Sequence, residues 1–579
     1  MHLLPLDKLG AREIASGIVE FGIFLPGISA SDGYQLWVKL IHEYDRFIQE
    51  IPSNELELTH EIDPKYGDYW LARIDIRKKI RSHRTHPDSH WGKDGKYIYR
   101  YCLRYPDRAE IDWIIDPFAR EFGIGNSSAI TVGSQAYQWS RYEQKKWQIP
   151  ALSDLTIYEL KIDEFGVDLY RTRDRLDYLA DLGINCIEIS SVVSDVNLPI
   201  GYFGIDDRLG TQKEFQRFVD AAHQNQIAVV VNIDLDLHRF PYNYLYQQLE
   251  NFQNSFNNFN NSFVQDFFLS VNFYWLDYYH VDGFCYTSTA NYWDMETREN
   301  YAKLTEHTYQ LVKDKQDSSG HWQRFYRHGE INPIQCANYL TAPTEILANT
   351  YSNCTWQNDT LNAAKGVAYG DRNELTHLGY QLGLIDYPTE IVIKEDRLQK
   401  TALQYLENRK LPRFISNFGS DRALCYRLQP YLIGLFTAKG IPMLWQGQEL
   451  GTSDSMRWDY FYDAVGRNLV SLVRKLIRLR HKQSQFRTGE YFFYNHSDRY
   501  HSKNVLLFSR YNEEKFSLIA LNFSEVEQTV PFWFPIAGKY REELHGECNL
   551  VDVSSYEEHW LNIPSNYGRI WTIERDRAS

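Results

Sequence analysis

General acid–base chemistry at an ether-type bond needs two carboxyl groups a few ångströms apart, one protonating the leaving oxygen while the other attacks or activates water. Carboxyl groups beside apolar runs of this chain include Glu330 in RFYRHGEINP (Arg324 to Pro333), Asp234 and Asp236 in VNIDLDLHRF, and Asp421 in RFISNFGSDR. The run VDGFCYT carries two further reactive groups, the Cys285 thiol and the Thr287 hydroxyl. Their spacing of two puts both on one face of a strand. A threonine hydroxyl with no neighbouring base is a poor nucleophile. Cys285 is intrinsically the better one, yet it reads as a packing residue.

Strands and helices in alternation must position these groups. From Leu152 the sequence runs LTIYELKI, then RLDYLADLG with Leu176, Leu179 and Leu182 at helical spacing, then INCIEIS. This is the signature of a parallel sheet with helical crossovers. It continues through IAVVVNIDL, VDGFCYT and RFYRHGE, and resumes at RFISN and IPMLWQGQEL, with RFYRHGE taken as the fifth strand and RFISN as the seventh. Eight such strands predict a (β/α)8 TIM barrel, whose chemistry sits where the strands end. Before it, YWLARIDI and YIYRYCLRY alternate between turn clusters, and after it come NVLLFSRY and FSLIALNF. The expected organisation is therefore an N-terminal β-sandwich over 1–150, a barrel over 151–488 and a C-terminal β-sandwich over 489–579. The stretch Asn251 to Ser262 reads as a loop or short insertion after the third strand.

Composition narrows the partners. A formal net charge of -14 repels polyanions, so nucleic acid and anionic membrane surfaces are not expected. No apolar run reaches the roughly 18 residues of a membrane span, and the start resembles no signal peptide, so a cytoplasmic location is expected. The seven cysteines are scattered without a C-x-x-C pair and read as buried free thiols. Tyr 42, Phe 31 and Trp 15 make aromatic rings abundant, and such rings suit the apolar faces of sugars.

Several ordered segments resemble the α-amylase superfamily, glycoside hydrolase family 13, in its branching enzyme, isoamylase and maltooligosyltrehalose trehalohydrolase subgroup. They are WIIDPFAR (Trp113 to Arg120), IYELKI (Ile157 to Ile162), Tyr202 to Ile233, YWLDYYHVDGF (Tyr274 to Phe284) and GIPMLWQGQELG (Gly440 to Gly451). The resemblance implies a first domain of carbohydrate-binding type. It also implies a nucleophilic Asp after the fourth strand, two residues behind an Arg that keeps it ionised. This chain places Thr287 at the nucleophile and Cys285 at the arginine. The family acid/base, a Glu ending the fifth strand, is matched to Glu330. The third acid, in an Asn-His-Asp motif after the seventh strand, is matched to Gly419 in Asn417, Phe418 and Gly419. The third-strand motif Asp-x-x-x-Asn-His becomes Asn232, Asp236 and Leu237, with His238 one place late. Tyr202 and Asn417 remain as candidate sugar contacts.

The expected function is that of a noncatalytic binding or regulatory homologue in α-glucan metabolism (starch, glycogen, maltooligosaccharides), with the glucan held mainly by aromatics of the first domain. Two alternatives stand beside it. One is an atypical α-glucan hydrolase or transferase using Glu330, and the other a scaffold for a protein partner. No metal site and no cofactor are expected.

Overall fold

The computed structural model describes residues 1–575 except 49, 79–85, 106–109, 191, 194–199, 248–255, 257, 294–298, 328, 329, 332, 420, 495–497 and 547. At its centre eight parallel strands close into a barrel: Ile157–Leu160, Cys186–Ile189, Ala228–Asp234, Gly283–Thr287, Ile334–Ala337, Cys354–Trp356, Thr401–Gln404 and Ile441–Trp445, here barrel strands 1 to 8. Strand 8 pairs with strand 1, Met443 opposite Ile157, and leaves no edge. Almost every strand residue is buried, because side chains facing outward meet the helices and those facing inward fill the lumen.

Two of the expected strands are corrected. The fifth is Ile334–Ala337, and RFYRHGE lies before it, partly in a two-stranded hairpin pairing Tyr326–Arg327 with Glu330–Ile331. The seventh is Thr401–Gln404, and RFISN instead forms a 3-10 turn, Phe414–Asn417.

The flanking sheets are antiparallel. In the first part of the chain one sheet joins Gly10–Ala15, Ile18–Phe24, Gly67–Asp75 and Thr59–Asp63. A second is built on Gln35–His42, Gly95–Arg104 and Ser127–Val132. After the barrel, Glu490–Phe493, Val505–Tyr511, Lys515–Asn522 and Tyr567–Glu574 form the main C-terminal sheet with Gly538–Glu542 and Leu550–Val553.

Local sequence explains the crossovers. The helix Gln212–Gln224 starts on a reciprocal cap, Thr211 with Glu214, and buries Phe215, Phe218, Val219 and Ala222 as one stripe. The helix Ser262–Tyr278 is apolar nearly all round because the first domain covers the side that the barrel leaves open. Phe24 and Tyr66 pack on Phe263, and the backbone N–H groups of His2 and Leu4 donate to Asp266 and Ser270.

Of the seven cysteines all are free; six are buried and Cys548 is exposed. Among the described residues no helix is long and apolar enough to cross a membrane.

Barrel closure depends on one glycine. A Cβ on Gly283 would sit 2.1 Å from the Ile334 carbonyl oxygen, inside the pairing of strands 4 and 5. Gly283→Ala is expected to cost about 1–3 kcal/mol or more by overpacking. A lowered urea midpoint at unchanged slope is the check, and an unchanged midpoint would disprove this account of strand pairing.

Candidate functional site

Strands 3, 4, 5 and 7 deliver the side chains that matter to the barrel's C-terminal end. Thr287 ends strand 4, and its Oγ1 donates to Asn232 Oδ1 at 3.0 Å. Asn338 follows strand 5 immediately; its backbone N–H donates to the Tyr286 carbonyl, so it stands level with Thr287. The Nδ2 groups of Asn232 and Asn338 are both buried with no hydrogen-bond acceptor. Neutral groups thus meet where acid–base chemistry at this end of the barrel would use carboxylates.

Beneath them the lumen is occupied. Arg409, from the loop after strand 7, turns inward, and its Nη1 lies 2.8 Å from Glu159 Oε1 on strand 1 and 3.5 Å from Glu188 Oε1 on strand 2. Trp356, ending strand 6, donates from Nε1 to Glu188 at 3.4 Å and lies under the guanidinium. Burial pushes the Glu159 carboxyl up to about 7 against the pull of Arg409, and burial raises Glu188 too. One guanidinium between two buried carboxyls leaves a proton on the pair until near neutrality. Cys285 is fully buried opposite Cys336, and burial lifts its thiol to about 11, which makes it inert packing rather than a nucleophile.

The sites expected from sequence are placed as follows. Glu330 precedes strand 5, so the strand's length, about 13 Å, separates it from the end where Thr287 stands. It is exposed and borders a cavity of about 420 Å³ with Leu152, Gly440 and Arg487, at the N-terminal end of the barrel. It cannot act with Thr287, nor with Asp234, Asp236 or Asp421. Asp234 ends strand 3 opposite Thr287 and accepts from the Asp236 N–H, Asp236 caps Leu237–Arg239, and Asp421 caps Arg422–Leu428.

Asn417 accepts from Tyr369 Oη at 2.9 Å and donates to the Phe414 carbonyl, which holds its own turn together. Gly419 is exposed with φ 124°, a backbone that an aspartate would strain. Neither Asn417 nor Gly419 directly follows strand 7; the loop after that strand carries Asn408, Arg409 and Lys410. Tyr202 is buried, donates from its hydroxyl to the Asp234 carbonyl at 2.7 Å and packs edge-on against Phe267 and Phe268. It offers no face to a sugar.

Sequence reading missed a cavity of about 400 Å³ just beyond strands 3 and 4. His238, Asn258, Asn260 and Asn291 line it, with Phe259 and Tyr292 as its floor, their ring centroids 3.9 Å apart. The Tyr292 hydroxyl is buried and unpaired. The asparagine-rich stretch was the available signal. Among the described residues no group of three or more His, Cys, Asp or Glu is placed to hold a metal ion.

No family profile matches the chain. Curated relatives include the α-amylase MalA of Haloarcula japonica, 26% identical over 464 residues, 72% of this chain and 62% of that protein. The 1,4-α-glucan branching enzyme GlgB of Bacillus cytotoxicus is 23% identical over 434 residues, 66% and 64%. The chain spans somewhat under two thirds of the length of both. The pullulanase from Bacillus acidopullulyticus superposes over 98% of this chain and 76% of its own, with TM-score 0.69 and 15% identity. A pullulanase from Anoxybacillus, solved with maltotetraose, superposes over 98% and 88%, with TM-score 0.68 and 15% identity. In sequence and in fold the chain resembles proteins of the α-amylase superfamily.

Thr287 ends strand 4, Asn338 follows strand 5, and Lys410 lies in the loop after strand 7 beside Arg409, which reaches down to Glu159 and Glu188.

Proposed function

We propose that the chain binds α-glucan without cleaving it. The single observation that carries this reading is the trio Thr287, Asn338 and Lys410, at the end of strand 4 and after strands 5 and 7, where the resemblance puts the carboxylates of glycoside hydrolysis. Removing a nucleophile alone commonly costs about 10⁴-fold or more in rate. The names of the relatives, branching enzyme, amylase and pullulanase, supply the ligand class.

We place the glucan in the cavity beyond strands 3 and 4 rather than on the first domain. The first domain exposes Tyr44, Phe47 and Trp113, but Trp113 is already stacked by Arg100 at 4.4 Å. The cavity joins aromatic rings to amide donors and acceptors, the combination that grips a sugar's faces and its hydroxyls together.

The purified chain is expected to release no reducing sugar from starch, glycogen or maltoheptaose, and to be retarded in a glycogen-containing native gel. His238→Ala with Asn291→Ala should weaken that retention about tenfold, while Trp113→Ala should leave it unchanged. Turnover at ordinary enzyme rates would end the noncatalytic reading. Retention lost in Trp113→Ala and kept in the double variant would move the site to the first domain.

A further inference from the structure

A second cavity, about 500 Å³, opens between the last barrel helix, Ala464–Lys482, and the C-terminal sheet. We infer that it binds a small phosphate-bearing sugar. The reason lies in Arg569, on the strand Tyr567–Glu574, which is 93% buried and whose Nε and Nη1 have no hydrogen-bond acceptor. Its Nη1 lies 3.6 Å from Glu542 Oε2, a contact too long to be a hydrogen bond. That carboxylate is already engaged by the backbone N–H groups of Leu544, His545 and Gly546.

A buried guanidinium with idle donors is costly, and a fork of N–H groups matches an oxyanion in geometry as well as charge. Lys475 borders the same space, donates to the Leu544 carbonyl, and has no carboxylate partner among the described residues. Two cations therefore face the cavity against one carboxylate, in a chain whose formal net charge is -14. The local field, not the net charge, favours an anion here.

The remaining lining suits a hydroxyl-rich body. Asn468 and Ser471 precede Lys475 at helical spacing and share its face of the helix. Across the opening, His545 Nε2 and the Tyr567 hydroxyl form a pair at 2.7 Å. The phosphate would lie on Arg569 and Lys475, and the sugar against Asn468, Ser471 and Tyr567. Its volume falls within the range that holds small ligands.

The test is titration calorimetry of the full chain with glucose 6-phosphate, inorganic phosphate and glucose. Glucose 6-phosphate is expected to bind with a dissociation constant below about 1 mM, at least tenfold tighter than inorganic phosphate, with no competing binding by glucose. Lys475→Gln and Arg569→Lys should each weaken it at least tenfold. Ser471→Ala should weaken the sugar phosphate without touching phosphate. Glycogen retention should be the same in all of these variants, which separates this site from the barrel mouth. Lys475 is exposed, so Lys475→Gln keeps the test sound even if Arg569→Lys does not fold. Absence of heat with glucose 6-phosphate, equal affinity for inorganic phosphate, or indifference to Lys475→Gln would each overturn the inference.

Discussion

Arg409→Met is expected to destabilise the chain by about 3–5 kcal/mol, because it strands two buried carboxyl groups without their cation. Glu159 and Glu188 share that guanidinium, and neither is exposed to water. Adding Glu159→Gln to Arg409→Met should restore part of the loss. On the wild-type background, Glu159→Gln should be far milder than Arg409→Met, since an amide can still accept from the guanidinium. Its effect appears in the pH dependence. Glu159 holds its proton in the folded chain up to about 7, from an ordinary value of 4.5. Between those values the folded state binds more protons than the unfolded one, so this group's contribution falls as pH rises. In Glu159→Gln that fall should be missing. Urea midpoints at pH 5 and pH 8 are the measurement, and an Arg409→Met variant as stable as wild type would refute the lumen account.

His223→Leu should be comparably severe, about 3–5 kcal/mol, because it breaks a charge network at the barrel's opposite end. His223 lies between Glu143 and Asp282, its Nδ1 bonded to the first and its Nε2 at 2.9 Å from the second. Burial disfavours charge on the imidazole, yet Asp282 and Glu143 outweigh it and lift the ring to about 9. The network continues through His280, 2.8 Å from Glu143, and Arg324, 3.3 Å from Asp282. Burial raises the Glu143 carboxyl, but His223 and His280 pull it well below the usual range.

The pH window follows from a histidine raised from 6.5. Its stabilisation is complete below about 6.5 and is lost as pH climbs through 9. Wild type should therefore lose thermal stability between pH 7 and pH 9.5, and His223→Leu should show a shallower decline from a lower start. Parallel profiles for the two would contradict a charged His223.

The sequence made the barrel legible because long-range alternation of apolar runs and helical stripes survives in it. Strands 1 to 4 and 8 sit in longer, mainly apolar segments and were read in place. Strands 5 and 7, IQCA and TALQ, carry too few β-branched or apolar residues for periodicity to mark them. Longer apolar-aromatic neighbours, RFYRHGE and RFISN, took their places. That error carried Glu330 and Gly419 into a site to which neither belongs.

The motif after strand 7 was hidden for a related reason. On the reading proposed above, Arg409 and Lys410 stand in place of histidine and aspartate, and only Asn408 marks it. Thr287 and Cys285 do lie on the fourth strand, where the run VDGFCYT places them. Nothing local in the sequence announced that Arg409 would cross the lumen to Glu159, since their contact joins residues 250 positions apart. Tyr202 was a candidate by motif alone, and the aromatic packing that buries it comes from a helix more than 60 residues later.

The pairing of Ile157–Glu159 with Met443–Trp445 also has a consequence for synthesis. Strand 1 leaves the ribosome with one ladder unpaired and keeps it so until strand 8 has been made, almost the whole length of the barrel later. During that interval a flat, apolar edge is open to other nascent chains, and folding dominated by such distant pairing is slow. A chain that stops between strands 7 and 8 retains two unpaired edges permanently, those of Ile157–Leu160 and Thr401–Gln404. Such a product would need a chaperone to keep it from aggregating, whatever the full-length protein binds.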